Sequence, residues 1–528
     1  MGNKQFLSKS EFNKRPPPTN QTFSKHSNQL KLLGLLFLSI ILVMTAYIWF
    51  ISFGSWIHWP AITNYGGYYD ELAVAFQHGS LALEIKPSPA LLALHDPYDP
   101  TSRHNNGIAY PIDFSLYEGN YYLYFGPVPA LFLLVVKFLN SSTIDDLYLV
   151  FVFVFGMFLF QSLLILKLWK RFFQNISIWM LSLCILFCGL ISPIPWILTE
   201  ARVYEAASTG GQFFFLAGLY FAVTALDRES ISIGQFLLAG IAWALAIGSR
   251  LTQIAPIGFM VFMIAIWMFR IYSPAKTFSK AVSPLIALCF PLILGLTILG
   301  WYNWARFNSV FESGLYYQLA EPFLQKYSHV LFSVQYLLPN LYNYLAMRPE
   351  ISTSFPFLQS IEGDGAIKFS LTHLPAIYHE GALTGILFST PFALFAAIPV
   401  LLFPLGKKGT KDRVGSDYGA WLFNWLIISL LGSFLFGFAP IVIFFFVETR
   451  YIADFMPSLV LLSIMGFFQG YSLLTHKPGI AKIYSAIGII LIVISIIVSI
   501  VLALSAHAEQ FQQFNPILWN HLISLFQR

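Results

Sequence analysis

Two adjacent carboxylates, Asp70 and Glu71, follow the first long apolar stretch and sit among Tyr65, Tyr68 and Tyr69. An acid held just outside a bilayer in an aromatic setting suits a general base that takes the proton of an acceptor hydroxyl. Glycosyl chemistry through an oxocarbenium-like transition state also favours nearby carboxylates. The plainer role is capping: both acids open a helix in DELAVAFQHG, where the helix dipole favours them.

Other polar groups stand in similar places. Asp113 leads into the tyrosine-rich run IDFSLYEGNYYLYFGPVPAL, which holds Tyr121 and Tyr122. Tyr68, Tyr69, Tyr121 and Tyr122 offer faces and hydroxyls to a sugar, or form an interfacial aromatic belt. Asp96 and Asp99 in DPYDP are turn formers beside proline. Glu200, Arg202 and Glu205 lie in TEARVYEA, Arg250 in GSRLTQ, and Glu448 and Arg450 in VETRYIADF, all at helix ends. The planar fork of arginine matches phosphate oxygens, so Arg250 and Arg450 are candidates to grip a lipid phosphate. Their alternative is a salt bridge to Glu205 or Glu448, or snorkelling to headgroups.

These residues need a membrane scaffold. Of 528 residues, 57% are hydrophobic and only 10% charged, far below the charge of a soluble domain. The net charge of +5 comes from short basic loops that act as orientation signals, not from a nucleic-acid surface. The three cysteines fall in apolar spans, and His329, His373 and His379 lack the helical spacing of a zinc motif. There is no phosphate-cradling or dinucleotide glycine motif. No cofactor is called for, and a divalent cation held by the outer acids and water stays open.

Apolar runs of about twenty residues predict eleven transmembrane helices: 32–54, 146–168, 176–198, 207–226, 232–248, 251–270, 282–302, 382–404, 418–440, 452–474 and 483–505. The proline-led stretch 127–139 reads as a helix in the outer interface. Leaving it out places the basic loops around Lys170, Lys276, Lys408 and Lys477 on the inner side, as the positive-inside rule asks. The organisation is then a disordered basic cytoplasmic tail (1–31), a transmembrane domain (32–505) with outer loops at 55–145 and 303–381, and an outer tail (506–528). No inverted repeat is evident.

A first span, an acidic pair in the first outer loop, a proline-led amphipathic segment and a helical bundle together resemble the GT-C superfamily of polyprenyl-phosphate-sugar glycosyltransferases. Protein O-mannosyltransferases and lipid A aminoarabinose transferases belong to it. YYDELAVAF, DPYDPTSR, DFSLYEGNYYLYFGPVPAL, GSRLTQ, ARFNSVFESGLYYQLA and ETRYIADF are similar to a bacterial group of glycosyltransferase-like multi-span proteins. The resemblance implies an all-α GT-C-like bundle in the bacterial inner membrane with its active site on the periplasmic side. It implies inverting transfer of a sugar from a polyprenyl phosphate to a hydroxyl of a glycan, lipid or protein. The first-loop acid of the superfamily maps onto Asp70, with Glu71 beside it, and a later acid onto Glu200 or Glu205. The Lys-Pro-Pro segment of the superfamily meets Phe125-Gly126-Pro127 here, without its lysine, so Arg250 and Arg450 stand in for phosphate binding. The rival readings are a transporter or lipid-sugar flippase, and a non-catalytic envelope assembly factor.

Overall fold

The computed structural model describes residues 20–60, 66–139, 142–227, 232–272, 279–371, 373–403 and 417–526. Tyr65 and the inner basic loop at 407–413 lie outside them. Helix α1 (Asn20–Ile51) takes in residues 20–31 of the expected N-terminal tail, whose first part, 1–19, is also outside the described residues.

Among the described residues, eight helices are long and apolar enough to cross a membrane: Leu30–Ile51, Asp146–Phe172, Val203–Leu226, Leu251–Arg270, Val282–Phe307, Gly419–Val442, Met456–Leu474 and Pro478–Ala506. Of the other three expected spans, two are broken and the third is found as a shorter helix than these eight. The run 176–198 splits into Ile178–Leu190 and Ile194–Thr199, and 382–404 becomes short helical pieces after a two-residue strand. Pro193 and Pro195 in the first, and Pro391 and Pro399 in the second, supply no N–H to a helical ladder. The third, Ile233–Ser249, is a continuous helix of 17 residues.

The loop 55–145 carries four elements that matter here. These are α2 (Tyr68–Gln77), a hairpin of β1 (Phe114–Tyr117) and β2 (Asn120–Leu123), and α3 (Val128–Lys137). At 10 residues, α3 is roughly 15 Å long, about half of a bilayer's apolar thickness. It packs along α2. The long helix α4 (Asp146–Phe172) follows, capped by the Asp145 side chain accepting from the Leu147 N–H at 2.9 Å.

Helix α5 (Val203–Leu226) lies between α4 and α6 (Ile233–Ser249). Small residues let the helices close: Gly210 faces the Phe153 ring and Gly218 faces Trp243. Trp243 is fully buried and donates its indole N–H to the Phe215 carbonyl at 3.1 Å. At one end of the bundle, Lys167 and Arg171 of α4 pair with Asp227 after α5 at 3.1 and 3.2 Å. The large loops gather at the other end.

There the loop 303–381 docks on its neighbours. Residues 317–319 run beside β1: Leu116 donates to Tyr317, Leu319 donates to Phe114, and Asp113 donates to Leu319, at 2.9, 2.8 and 3.1 Å. Buried Arg103 clamps the joint through the Ala320 carbonyl at 2.5 Å and the Pro97 carbonyl at 2.8 Å. On the far side, Asn340 donates to the Val442 and Phe444 carbonyls at 3.1 and 2.9 Å, while His379-Glu380 pairs in parallel with Phe446-Val447. In the tail, residues 508–526 form helices Ala508–Phe514 and Pro516–Phe526, tied to the turn after α1 by Asn515 donating to the Phe53 carbonyl at 3.0 Å.

The start of α3 lies flat against the end of α6. A Cβ at Gly126 would strike the Gly248 carbonyl oxygen and approach the Ser249 carbonyl oxygen to 2.9 Å. Both obstacles are backbone and cannot rotate away. Gly126→Val is therefore expected to destabilise the protein by about 1–3 kcal/mol. Gly258→Ala, where a Cβ meets nothing within 4 Å, should leave the thermal midpoint in detergent unchanged or higher. Equal midpoints for the two variants would count against this packing.

Candidate active site

A cleft of about 250 Å³ opens at the loop end. Its polar wall is made by Asp113, Tyr124, Tyr204, Arg250, Arg450 and Asp454, and its apolar flank by Phe332, Leu324, Pro440 and Phe444–Phe446. Each polar group is aimed by a local feature. Asp113 precedes β1 with φ at 65°, a left-handed conformation that aspartate tolerates better than most side chains. Its N–H is held by Leu319, so the carboxylate turns into the cleft. Arg250 ends α6 with an extended backbone before a single 3-10 turn at Leu251–Gln253. Tyr204 stands in the first turn of α5, and Arg450 and Asp454 lie on the 3-10 stretch Thr449–Asp454.

The groups form one connected array. The Tyr204 hydroxyl donates to the Asp113 carboxylate. The Tyr204 ring lies under the Arg450 guanidinium, 4.3 Å from ring centre to Cζ, a cation–π contact. Tyr451 lies 5.3 Å from Arg450 and 5.8 Å from Arg250. Arg250 in turn donates from Nε and Nη2 to one oxygen of Asp454, at 3.2 and 3.1 Å, and the Thr252 hydroxyl donates to that same oxygen at 3.2 Å. Arg450 makes no hydrogen bond or ion pair among the described residues; its contacts are aromatic faces. Glu448 and Glu205 act on it only from beyond contact distance. Burial pushes the Asp113 carboxyl above its ordinary value, and the Tyr204 hydrogen bond and the Arg450 charge hold it back.

Three residues singled out in the sequence thus meet in the cleft: Asp113, Arg250 and Arg450. The rest are placed elsewhere. Asp70 is 5% exposed and paired with Lys137, whose Nζ sits 2.7 and 2.8 Å from its two oxygens. It also accepts from the Ile144 N–H at 3.1 Å. It joins α2 to α3 and does not line the cleft. Glu71 lies beside it at the surface of α2, its carboxyl pushed up by burial and by Asp70 and Glu84. Tyr68 and Tyr69 are buried at the start of α2, and their N–H groups are capped by Asp146 at 3.0 and 3.1 Å. Tyr121 is buried under the hairpin, and Tyr122 packs on Phe307. Glu200 pairs with Arg202 and lies 2.9 Å from His507 Nδ1. Burial would raise its carboxyl, but His507 and Arg202 outweigh that and hold it below its ordinary value. Glu205 is buried behind the cleft and accepts from the Arg202 N–H at 3.3 Å. Among the described residues, no three His, Cys, Asp or Glu side chains group as a metal site.

No family model matches this sequence, and no curated protein matches it. Among solved structures, an apo crystal structure of the Archaeoglobus fulgidus oligosaccharyltransferase is similar, at a TM-score of 0.45 and 12% sequence identity. The match covers 89% of this chain and 55% of that one, so the chain spans about half the length of that protein.

Tyr204, Thr252, Tyr451 and Asp454 escaped the sequence reading although all four lie inside motifs that were singled out. Asp454 follows Arg450 by one helical turn in ETRYIADF, and nothing local shows that it answers Arg250 instead. Lys137 carried a clearer signal, as a lone charge at the end of the apolar run VPALFLLVVK.

The Asp70–Lys137 pair has its own test. With Lys137 3% and Asp70 5% exposed, Lys137→Ala strands a buried carboxylate. The expected cost is about 3–5 kcal/mol in detergent unfolding. The apolar double replacement Asp70→Leu with Lys137→Met should recover most of it. A single variant as stable as wild type would refute the buried pair.

Proposed function

We propose that the protein is a membrane glycosyltransferase of GT-C type. It moves a sugar from a polyprenyl-phosphate donor to an acceptor hydroxyl, with inversion, on the extracytoplasmic face. The observation that carries this reading is the array in the cleft. An arginine without a hydrogen bond or ion pair to any described side chain, a half-buried carboxylate and an aromatic apolar flank meet where the helices end. A lipid-linked sugar phosphate has the three matching parts: an anion, a hydroxylated ring and a hydrocarbon tail. Phe332 and Phe444–Phe446 suit the tail, and Arg450 suits the phosphate.

Asp113 takes the part of the base, in place of Asp70. Its carboxylate accepts the proton of the acceptor hydroxyl as that oxygen bonds to the anomeric carbon. The bond from that carbon to the phosphate oxygen breaks, and its electron pair leaves with the phosphate. Arg450 stabilises the charge that develops there. Asp113 then returns its proton to solvent. Tyr204 holds Asp113 and Arg450 in one geometry, since its hydroxyl binds the first and its ring the second. A transporter would instead place its charges near the bilayer midplane; these lie at the loop end.

The test is transfer of label from polyprenyl-phosphate sugars to an envelope acceptor in proteoliposomes. Asp113→Asn should lower kcat/KM by about a hundredfold or more, while Asp70→Asn, once folded, should retain transfer. The reverse order would return the base to Asp70. No transfer from any donor by folded wild type would sink the enzyme reading.

The pH profile follows from burial. The base must be ionised, and its value is raised, so kcat/KM should fall as pH drops through a point above the ordinary carboxylate range. Tyr204→Phe removes a hydrogen bond that lowers that value, so the acid limb should move to still higher pH. An unmoved limb would separate Asp113 from the titration.

A further inference from the structure

The two arginines of the cleft are not equivalent. Arg250 is already neutralised: its guanidinium lies against Asp454, whose side chain is 0% exposed, and two of its donors converge on one carboxylate oxygen. A paired guanidinium beside a fixed carboxylate presents little net charge to an incoming anion. It still presents directed donors, because Nη1 is not used on Asp454, and the side chain keeps 15% of its surface on the cleft. Asp454 Oδ1 is buried without a hydrogen-bond partner. Asp454 is thus sealed behind the fork, and what the cluster offers the cleft is the Nη1 donor of Arg250, the Thr252 hydroxyl oxygen as acceptor, and almost no net charge. Arg450 is the opposite: a full charge, aromatic neighbours and, among the described residues, no contacting carboxylate.

We propose that the arginines divide the substrate, Arg450 taking the phosphate and the Arg250–Asp454–Thr252 cluster taking the hydroxyls of the sugar. This rests on the lipid-phosphate-sugar reading above and makes the cluster the determinant of which sugar is accepted. A polyol suits it because each hydroxyl both donates and accepts. Losing such a partner leaves buried polar groups unpaired, which is how sites discriminate strongly between hydroxylated ligands. Asp454 is a positioning residue: it fixes the fork of Arg250 and cancels its charge.

The division predicts a gain of function that a merely structural role does not. The probe is decaprenyl phosphate, bound to the full chain in lipid nanodiscs, with decaprenol as the uncharged control. Wild type should prefer the phosphate. Arg450→Gln should lose that preference, by about tenfold or more, while the charge-balanced double variant Arg250→Gln with Asp454→Asn stays within about twofold of wild type. Asp454→Asn, which leaves Arg250 unneutralised, should bind the phosphate about threefold more tightly. Folding of each variant is checked by circular dichroism and its thermal midpoint, with Arg250→Lys as the milder replacement.

A panel of decaprenyl-phosphate hexoses and pentoses then measures the affinity that the sugar adds over bare decaprenyl phosphate. That increment should vanish in Arg250→Gln and persist in Arg450→Gln. Equal loss of phosphate binding in Arg450→Gln and the double variant, or weaker binding in Asp454→Asn, would overturn the division. So would the absence of any sugar increment in wild type across the panel. Failure of wild type to prefer the phosphate over decaprenol would instead overturn the underlying lipid-phosphate reading.

Discussion

The loop end is organised by a short run of backbone hydrogen bonds between β1 and residues 317–319. It joins two loops that are far apart in sequence and fixes three things together. Asp113 is held at one end of the run, with its N–H on Leu319. Gln318 and Leu315 are turned toward the cleft as part of its wall. The rest of the loop 303–381 is then placed to pin the Phe444–Arg450 corner through Asn340 and the His379-Glu380 strand. Without that pairing Asp113, the cleft wall and the Phe444–Arg450 corner would belong to separate loops.

How much of this could be read from the sequence depends on the range of each interaction. Long apolar runs give helices because their length and composition decide locally, and most of the expected spans are found. The runs that break contain paired prolines, whose effect depends on whether neighbours can satisfy the freed carbonyls. Arg250 and Arg450 stood out because a charge beside a membrane helix is costly and must have a partner or a task. Asp70 stood out for the same reason, but its partner Lys137 lies on another element. Sequence shows that an acid needs an answer and does not show which residue answers it. The hairpin tyrosines fail differently. Neighbours on a strand alternate sides, so Tyr121 is buried while Tyr122 packs sideways on Phe307.

The acids of α2 and α4 show a division of labour that composition hides. Asp145 caps α4, Asp146 caps α2 across the loop, and Asp70 locks α3 to α2. Three carboxylates near a membrane face are spent on helix ends and one buried pair. Their common effect is to seat α3, and α3 in turn brings Gly126 against the end of α6, next to Arg250. The first-loop acids thus reach the cleft through packing.

Behind the cleft, a second set of charges explains why Arg450 is left without an ion partner among the described residues. Glu200 pairs with Arg202 and faces His507. Glu205 accepts from the Arg202 backbone. Glu448 starts the 3-10 stretch that carries Arg450, yet makes no ion pair with it. Each carboxylate stays near enough to keep the guanidinium from being an isolated buried charge, and none closes on it. A contact pair would have neutralised the arginine, and an apolar surround would have made its burial prohibitive. Aromatic faces at contact distance with carboxylates one layer out satisfy both conditions, and the charge that remains faces the cleft.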